Sequence, residues 1–179
     1  MASEEPCFYG TRPTLFASAA QSLTEFAANP RWMGVADAQH AFSLVLHTWT
    51  QDLRIHLHIH VVMACGVLGK DGAWHAPARK RDFLFPVQAL SKLYRGKFMA
   101  LLTAARREGS LQGNPQTQPA AWARRQRQLY QHPWVVYAKT PLGGPAQVLE
   151  YLSRYTHRTA VSVQPPHLSR ATKLRYPNR

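Results

Sequence analysis

Cysteine is scarce in this chain: its 179 residues hold 2, Cys7 and Cys65. Two are too few for a disulfide framework and fit no zinc-ligand spacing, so both read as reduced thiols. Acidic side chains are also sparse, 9 against 22 lysines and arginines, which leaves a net charge of +13 and a pI near 10.5. That imbalance says little about fold. It favours a polyanionic partner, through attraction and the release of bound counterions, and nucleic acid is the first candidate. No apolar run is long enough to cross a bilayer, and no basic amphipathic segment dominates, so a membrane surface comes second. The opening Met1-Ala2-Ser3-Glu4-Glu5-Pro6 is acidic and lacks the apolar core of a secretion signal, which leads us to expect a cytoplasmic protein. The hydrophobic content, 45%, is that of an ordinary globular chain long enough for one core.

The chain does have a strand with an unmistakable period. Ile55-His56-Leu57-His58-Ile59-His60-Val61-Val62-Met63 alternates strictly through its histidines, the spacing at which successive side chains take opposite faces of a sheet. Leu57, Ile59 and Val61 share the face a core would cover; His56, His58 and His60 share the other. Imidazoles two residues apart on a strand project side by side, near enough to share a metal ion, and neutral imidazole is the commonest protein metal ligand near neutral pH. A lone histidine of this kind is usually a surface residue, whereas three in alternation favour a metal site. Upstream, Ala41 to Trp49 is apolar and partly β-branched, a second strand. Gln51-Asp52-Leu53-Arg54 makes a short polar turn, so the two strands should pair as an antiparallel hairpin. With the turn centred near Asp52-Leu53, His47 lies opposite the His58 region, although a slip of one residue would send it to the other face. The third ligand is left between His47, Gln51 and His56, and His47 reads equally well as a structural strand histidine.

Elsewhere the signals are organisational. Residues 1–13 read as a loose leader. Ser22 to Ala28 is expected to be a short helix, with Ser22 as its cap and Glu25 three residues on, ended by Asn29-Pro30. Gly66 to Pro77 reads as a loop with room for a short strand around Ala73–His75, and Ala78-Arg79-Lys80-Arg81 as a basic run. Val87 to Arg107 is the clearest helix, with Leu90, Leu93, Tyr94, Leu101 and Ala105 in one stripe. After a Gly-, Gln- and Pro-rich loop, Ala120 to Tyr130 predicts another helix. Its Arg124, Arg125 and Arg127 are either a charged surface or phosphate contacts. Trp134-Val135-Val136-Tyr137-Ala138 is a strand by composition.

Pro145 is well placed to start a further helix running to about Thr159. At about 100° per residue, Val148, Leu149, Leu152 and Thr159 form its core stripe, with Tyr151 and Tyr155 on the shoulder and Arg154 and Arg158 beyond them. A Tyr pair four apart is more often packing than chemistry. A tyrosine can nevertheless act as a covalent nucleophile, and neighbouring arginines can bind the phosphate it attacks.

A His-hydrophobic-His strand followed downstream by a helix with two tyrosines separated by three residues resembles the HUH endonucleases, and more narrowly the two-tyrosine transposases of rolling-circle insertion sequences. The resemblance runs from about Leu15 to Val163. It is carried by His56–His60, Phe85–Leu93, Trp134–Lys139, and the stretch from Gly143-Gly144-Pro145 through Tyr151-Leu152-Ser153-Arg154-Tyr155-Thr156-His157-Arg158. It implies an α+β fold, an antiparallel sheet flanked by helices with the catalytic tyrosines on one of them, spanning residues 14–163 and followed by a basic tail at 164–179. It implies that His58 and His60 bind a divalent cation, Mg²⁺ or Mn²⁺. Imidazole suits Mn²⁺ better, since Mg²⁺ prefers oxygen. It further implies that Tyr151 and Tyr155 are paired nucleophiles, cutting single-stranded DNA to a 5′-phosphotyrosine and a free 3′-hydroxyl during transposition.

Two features depart from the family pattern. No Cys-rich zinc region precedes the histidine strand, and Pro165-Pro166 leads into a basic tail without further strand pattern. The chain is therefore expected to be truncated at both ends relative to the family. Two other readings stay open: a nickase of the same chemistry in plasmid replication or conjugation, and a non-catalytic DNA-binding remnant of a transposase.

Overall fold

The computed structural model of the chain describes residues 11–49, 55–78, 83–111 and 115–156. These divide into two compact units, Met1–Leu142 and Gly143–Arg179. The architecture is α+β, as expected: helices together with small antiparallel sheets.

The first unit opens with α1, Arg12–Ala28, which starts ten residues before the helix expected at Ser22. The reason is chemical. The buried face of α1 is written largely in hydroxyls: Thr14, Ser18 and Ser22 are buried beside Ala19, Leu23 and Ala27. Two of these hydroxyls bond back to the helix itself, Ser18 Oγ donating to the Leu15 carbonyl at 3.0 Å and Ser22 Oγ to the Ser18 carbonyl at 2.6 Å. A face of small hydroxylated residues packs like an apolar one but does not register as hydrophobic periodicity. Asn29 then caps a single-turn helix, α2 (Pro30–Met33), its Oδ1 accepting from the Arg31 N–H at 3.0 Å. Gly34 closes that turn at φ +78°, a left-handed conformation open to glycine at little cost.

β1 (Phe42–Trp49) and β2 (Ile55–Met63) form the expected antiparallel hairpin, with Phe42 opposite Met63, Leu44 opposite Val61 and Leu46 opposite Ile59. The turn expected at Gln51–Arg54 lies outside the described residues. Phe42, Leu44 and Met63 pack onto a core of Leu23, Ala27, Met33, Val67 and Phe85. By alternation Leu46, Leu57, Ile59 and Val61 share that face. The core covers only the Phe42–Met63 end of the hairpin, and Val61 is already exposed. The loop after β2 contains β3 (Val67–Leu68) paired with β4 (Trp74–His75); β4 falls where a short strand was expected, and β3 was not anticipated.

α3 spans Val87–Arg107, as expected from its period, but its deepest residues are Phe98, Met99 and Leu102. They join Leu111 and Trp122 in a second core, flanked by Leu15, Leu129 and Trp134. α1 lies against α3, tied by an ion pair between Lys97 and Glu25 at 2.7 Å. Burial pushes the Tyr94 phenol above its ordinary value, an effect partly opposed by its hydrogen bond with Ser18. A short 3₁₀ turn, Pro115–Thr117, leads into α4, Pro119–Gln131.

The strand expected at Trp134–Ala138 is corrected. Among the described residues the segment belongs to no ladder. Trp134 anchors it: the indole N–H donates to the Leu129 carbonyl at 2.8 Å, Ser91 Oγ donates to the Trp134 carbonyl, and the ring packs against Tyr94 and Phe98. Beyond this anchor Val135 is 86% exposed and Tyr137 81%. β-propensity describes a side chain that fits a pleated, half-covered surface, and here no neighbouring strand supplies one.

The second unit contributes α5, Pro145–Thr156. Pro145 takes its first position, and the Gly143 N–H donates to Gln147 Oε1 at 2.6 Å just before it. Val148 and Leu152 are half-buried as the stripe requires, but Leu149, assigned to the same stripe, is 68% exposed. Thr159 lies outside the described residues. None of the described helices is long and apolar enough to cross a membrane.

Candidate metal centre and tyrosine helix

The hairpin register decides the geometry of the histidines. His47 pairs with His58 and Val45 with His60, so His47, His58 and His60 lie on one face. The ligand atoms of these three half-buried imidazoles all lie within 4.8 Å of one another. Ring centroids stand 5.4 Å apart for His47 and His58, 4.5 Å for His47 and His60, and 4.8 Å for His58 and His60. The pairing is interrupted immediately after His47, between His47 and Trp49. Such irregularities re-aim a strand's side chains and sharpen its twist.

The donor set suits a metal. Burial first, and then the adjacent His47 and His58, lower the His60 pKa from 6.5 to about 4. His60 is therefore neutral at physiological pH, the form in which imidazole offers a lone pair. His58 Nδ1 lies 3.0 Å from the His56 carbonyl. A carbonyl can only accept, so Nδ1 carries the proton and the lone pair of neutral His58 sits on Nε2. A backbone hydrogen bond that fixes tautomer and ring direction is what metal-binding histidines commonly have. These three residues could hold a metal ion. Of the candidates for third ligand, His47 joins the pair. His56 is exposed, its ring 4.9 Å from His58, and stands outside the set of three. Gln51 lies outside the described residues.

Tyr151 and Tyr155 are both carried by α5, one turn apart, with Arg154 between them. Tyr151 is half-buried. Arg158 lies outside the described residues. The short turn in the sequence was the signal that placed His47 opposite His58; the irregularity after His47 left none.

Residues 42–176 match a protein family described as "Putative transposase". The chain is also 41% identical over 153 residues to "Putative transposase y4qJ" of Sinorhizobium fredii (strain NBRC 101917 / NGR234), an alignment covering 83% of this chain and 37% of that protein. The chain thus spans little more than a third of the length of this relative. No solved structure matches it significantly. The family match takes in both the histidine hairpin and the tyrosine helix: the chain belongs to this transposase family.

Proposed function

We propose that this chain nicks and rejoins single-stranded DNA in transposition, with Tyr151 and Tyr155 as nucleophiles and His47, His58 and His60 as the ligands of a divalent cation, Mn²⁺ or Mg²⁺. The convergence of three imidazoles from two strands supports this reading most directly, and membership of a transposase family agrees with it. A divalent cation held there would act as a Lewis acid toward a scissile phosphate. The phenolic oxygen of one tyrosine attacks phosphorus, the bond from phosphorus to the 3′-oxygen breaks, and a 5′-phosphotyrosine forms. The phenol gives up one proton and the departing 3′-oxygen gains one. The phosphodiester energy is kept in the tyrosyl ester, so a 3′-hydroxyl can reverse the step and join strands without ATP. A second tyrosine lets one hold a DNA end while the other cuts. Arg154 and Arg158, from the same stretch of sequence, would hold the phosphate by charge-assisted hydrogen bonds.

The test is a denaturing gel of the protein mixed with labelled single-stranded DNA and Mn²⁺. A covalent adduct that depends on the metal is expected. Binding without any adduct would leave the chain a DNA-binding relative of transposases and overturn the catalytic assignment.

A further inference from the structure

Among the described elements, α4 has a surface that the histidine and tyrosine chemistry does not use. It contains no acidic residue, and Arg124, Arg125 and Arg127 are all exposed with no carboxylate in ion-pair range among the described residues. Its inner side is fixed by Trp122, buried in the second core with Arg106 over its ring at 5.2 Å. Its outer side has a shallow depression of about 450 Å³ formed by Ala123, Gln126, Arg127, Tyr130 and Gln131. Tyr130 is 50% exposed there. The Arg95 guanidinium lies 5.5 Å from the centroid of the Tyr130 ring and donates to its backbone carbonyl at 3.0 Å. A cation held over an aromatic ring fixes the ring's plane.

Helix spacing then sorts the residues. Arg127 neighbours both Arg124 and Tyr130 at a spacing of three, so the three sweep an arc of about 120°, and Arg125 lies about 140–160° from Tyr130 and Arg127. The result is an exposed aromatic ring, held against Arg95, beside two guanidinium groups without an acidic partner among the described residues. That pairing of features binds unpaired bases, which stack on the ring while their phosphates meet the arginines.

We propose that this side of α4 is a single-stranded-DNA track, in which Tyr130 stacks against a base, Arg95 orients the ring, and Arg124 and Arg127 contact flanking phosphates. The proposal rests on the reading that the chain acts on single-stranded DNA, and adds where the strand runs. A duplex offers only edges and phosphates to such a surface, so the exposed ring favours the unpaired strand.

The test is fluorescence anisotropy with labelled dT20, and with an abasic strand of equal length, as a function of NaCl. Arg31→Ala, an exposed charge on α2, controls for net charge. Replacing Arg124 and Arg127 by Ala should weaken binding to both strands and lower the log–log salt slope by about 1.4, at about 0.7 per phosphate contact. Tyr130→Ala should weaken dT20 about tenfold and leave the abasic strand unchanged, within the usual range for a stacked base. Tyr130→Phe, which keeps the ring, should bind as the parent does. If the parent binds dT20 but the Arg and Tyr130 variants match Arg31→Ala, the track is wrong while the transposase reading stands. Equal loss on the abasic strand for Tyr130→Ala would overturn the stacking role. A parent that binds neither strand would remove both the track and the reading beneath it.

Discussion

His47 and His58 face each other across the β1–β2 hairpin as direct register partners, their ring centroids 5.4 Å apart. A residue from a separate strand thereby brings to three a cluster of imidazoles of which β2 alone supplies two. His47→Ala should therefore weaken Mn²⁺ binding at least about tenfold, the lower end of what disturbing even the groups behind metal ligands costs. His56→Ala should change it little. Isothermal titration calorimetry on both variants checks this, and the reverse ranking would move the site toward the N-terminal end of β2.

The tyrosines should be separable. They stand one helical turn apart, about 6 Å along the axis, so one phosphate cannot be in line with both at once. Tyr151→Phe and Tyr155→Phe should each retain some covalent adduct, and the double variant none. Peptide mass spectrometry locates the modified residue; a phosphotyrosine at Tyr94, Tyr130 or Tyr137 would overturn the assignment.

Acid should destabilise the metal-free chain through His60. Its folded-state pKa is lowered to about 4, while in the unfolded chain it takes up a proton near 6.5. Above about pH 6.5 neither state binds that proton and the native state incurs no penalty. As pH falls toward 4 the unfolded state binds it first, so stability declines over that interval. Urea midpoints at pH 7.5 and pH 4.5 should show a smaller drop for His60→Gln than for the parent. An equal drop would assign the acid sensitivity to other groups.

The hydroxyl-lined face of α1 should resist enlargement more than loss of polarity. Ser22 is buried and its hydroxyl donates within its own helix, to the Ser18 carbonyl. Ser22→Ala should be nearly neutral, because Ala fits the space and favours the helix. Ser22→Leu should cost about 1–3 kcal/mol by overpacking. Denaturant midpoints compare the two, and a Leu variant as stable as the Ala variant would show room that the packing does not indicate.

These residues also mark where sequence and structure part. β2 and α3 were legible because each carries its period on a one-sided face, alternate residues in Ile55–Met63 and a 3.6 repeat in Val87–Arg107. Two of the three clustered imidazoles followed from that same alternation. The third depended on hairpin register, which a pattern within one strand does not contain. The first ten residues of α1 were missed because Thr14 and Ser18 are buried without being apolar. Trp134–Ala138 failed in the opposite sense: its residues favour a strand, but a strand exists only through a neighbour. Leu149 likewise has the chemistry of a core residue with nothing described above it.

That segment gives the strongly basic charge a second role. Val135 and Tyr137 are large exposed side chains that no ladder covers among the described residues, and exposed apolar surface is where identical chains adhere. A net charge of +13 sets copies repelling one another, and Lys139 places one of those cations at the segment's end. The repulsion reaches only about 10 Å at 0.1 M salt. Like-charge repulsion therefore opposes contact between copies through this segment, and a polyanion that neutralises the charge removes that opposition. Nucleic acid bound in excess would keep copies dispersed on separate strands, whereas substoichiometric nucleic acid would gather neutralised copies together.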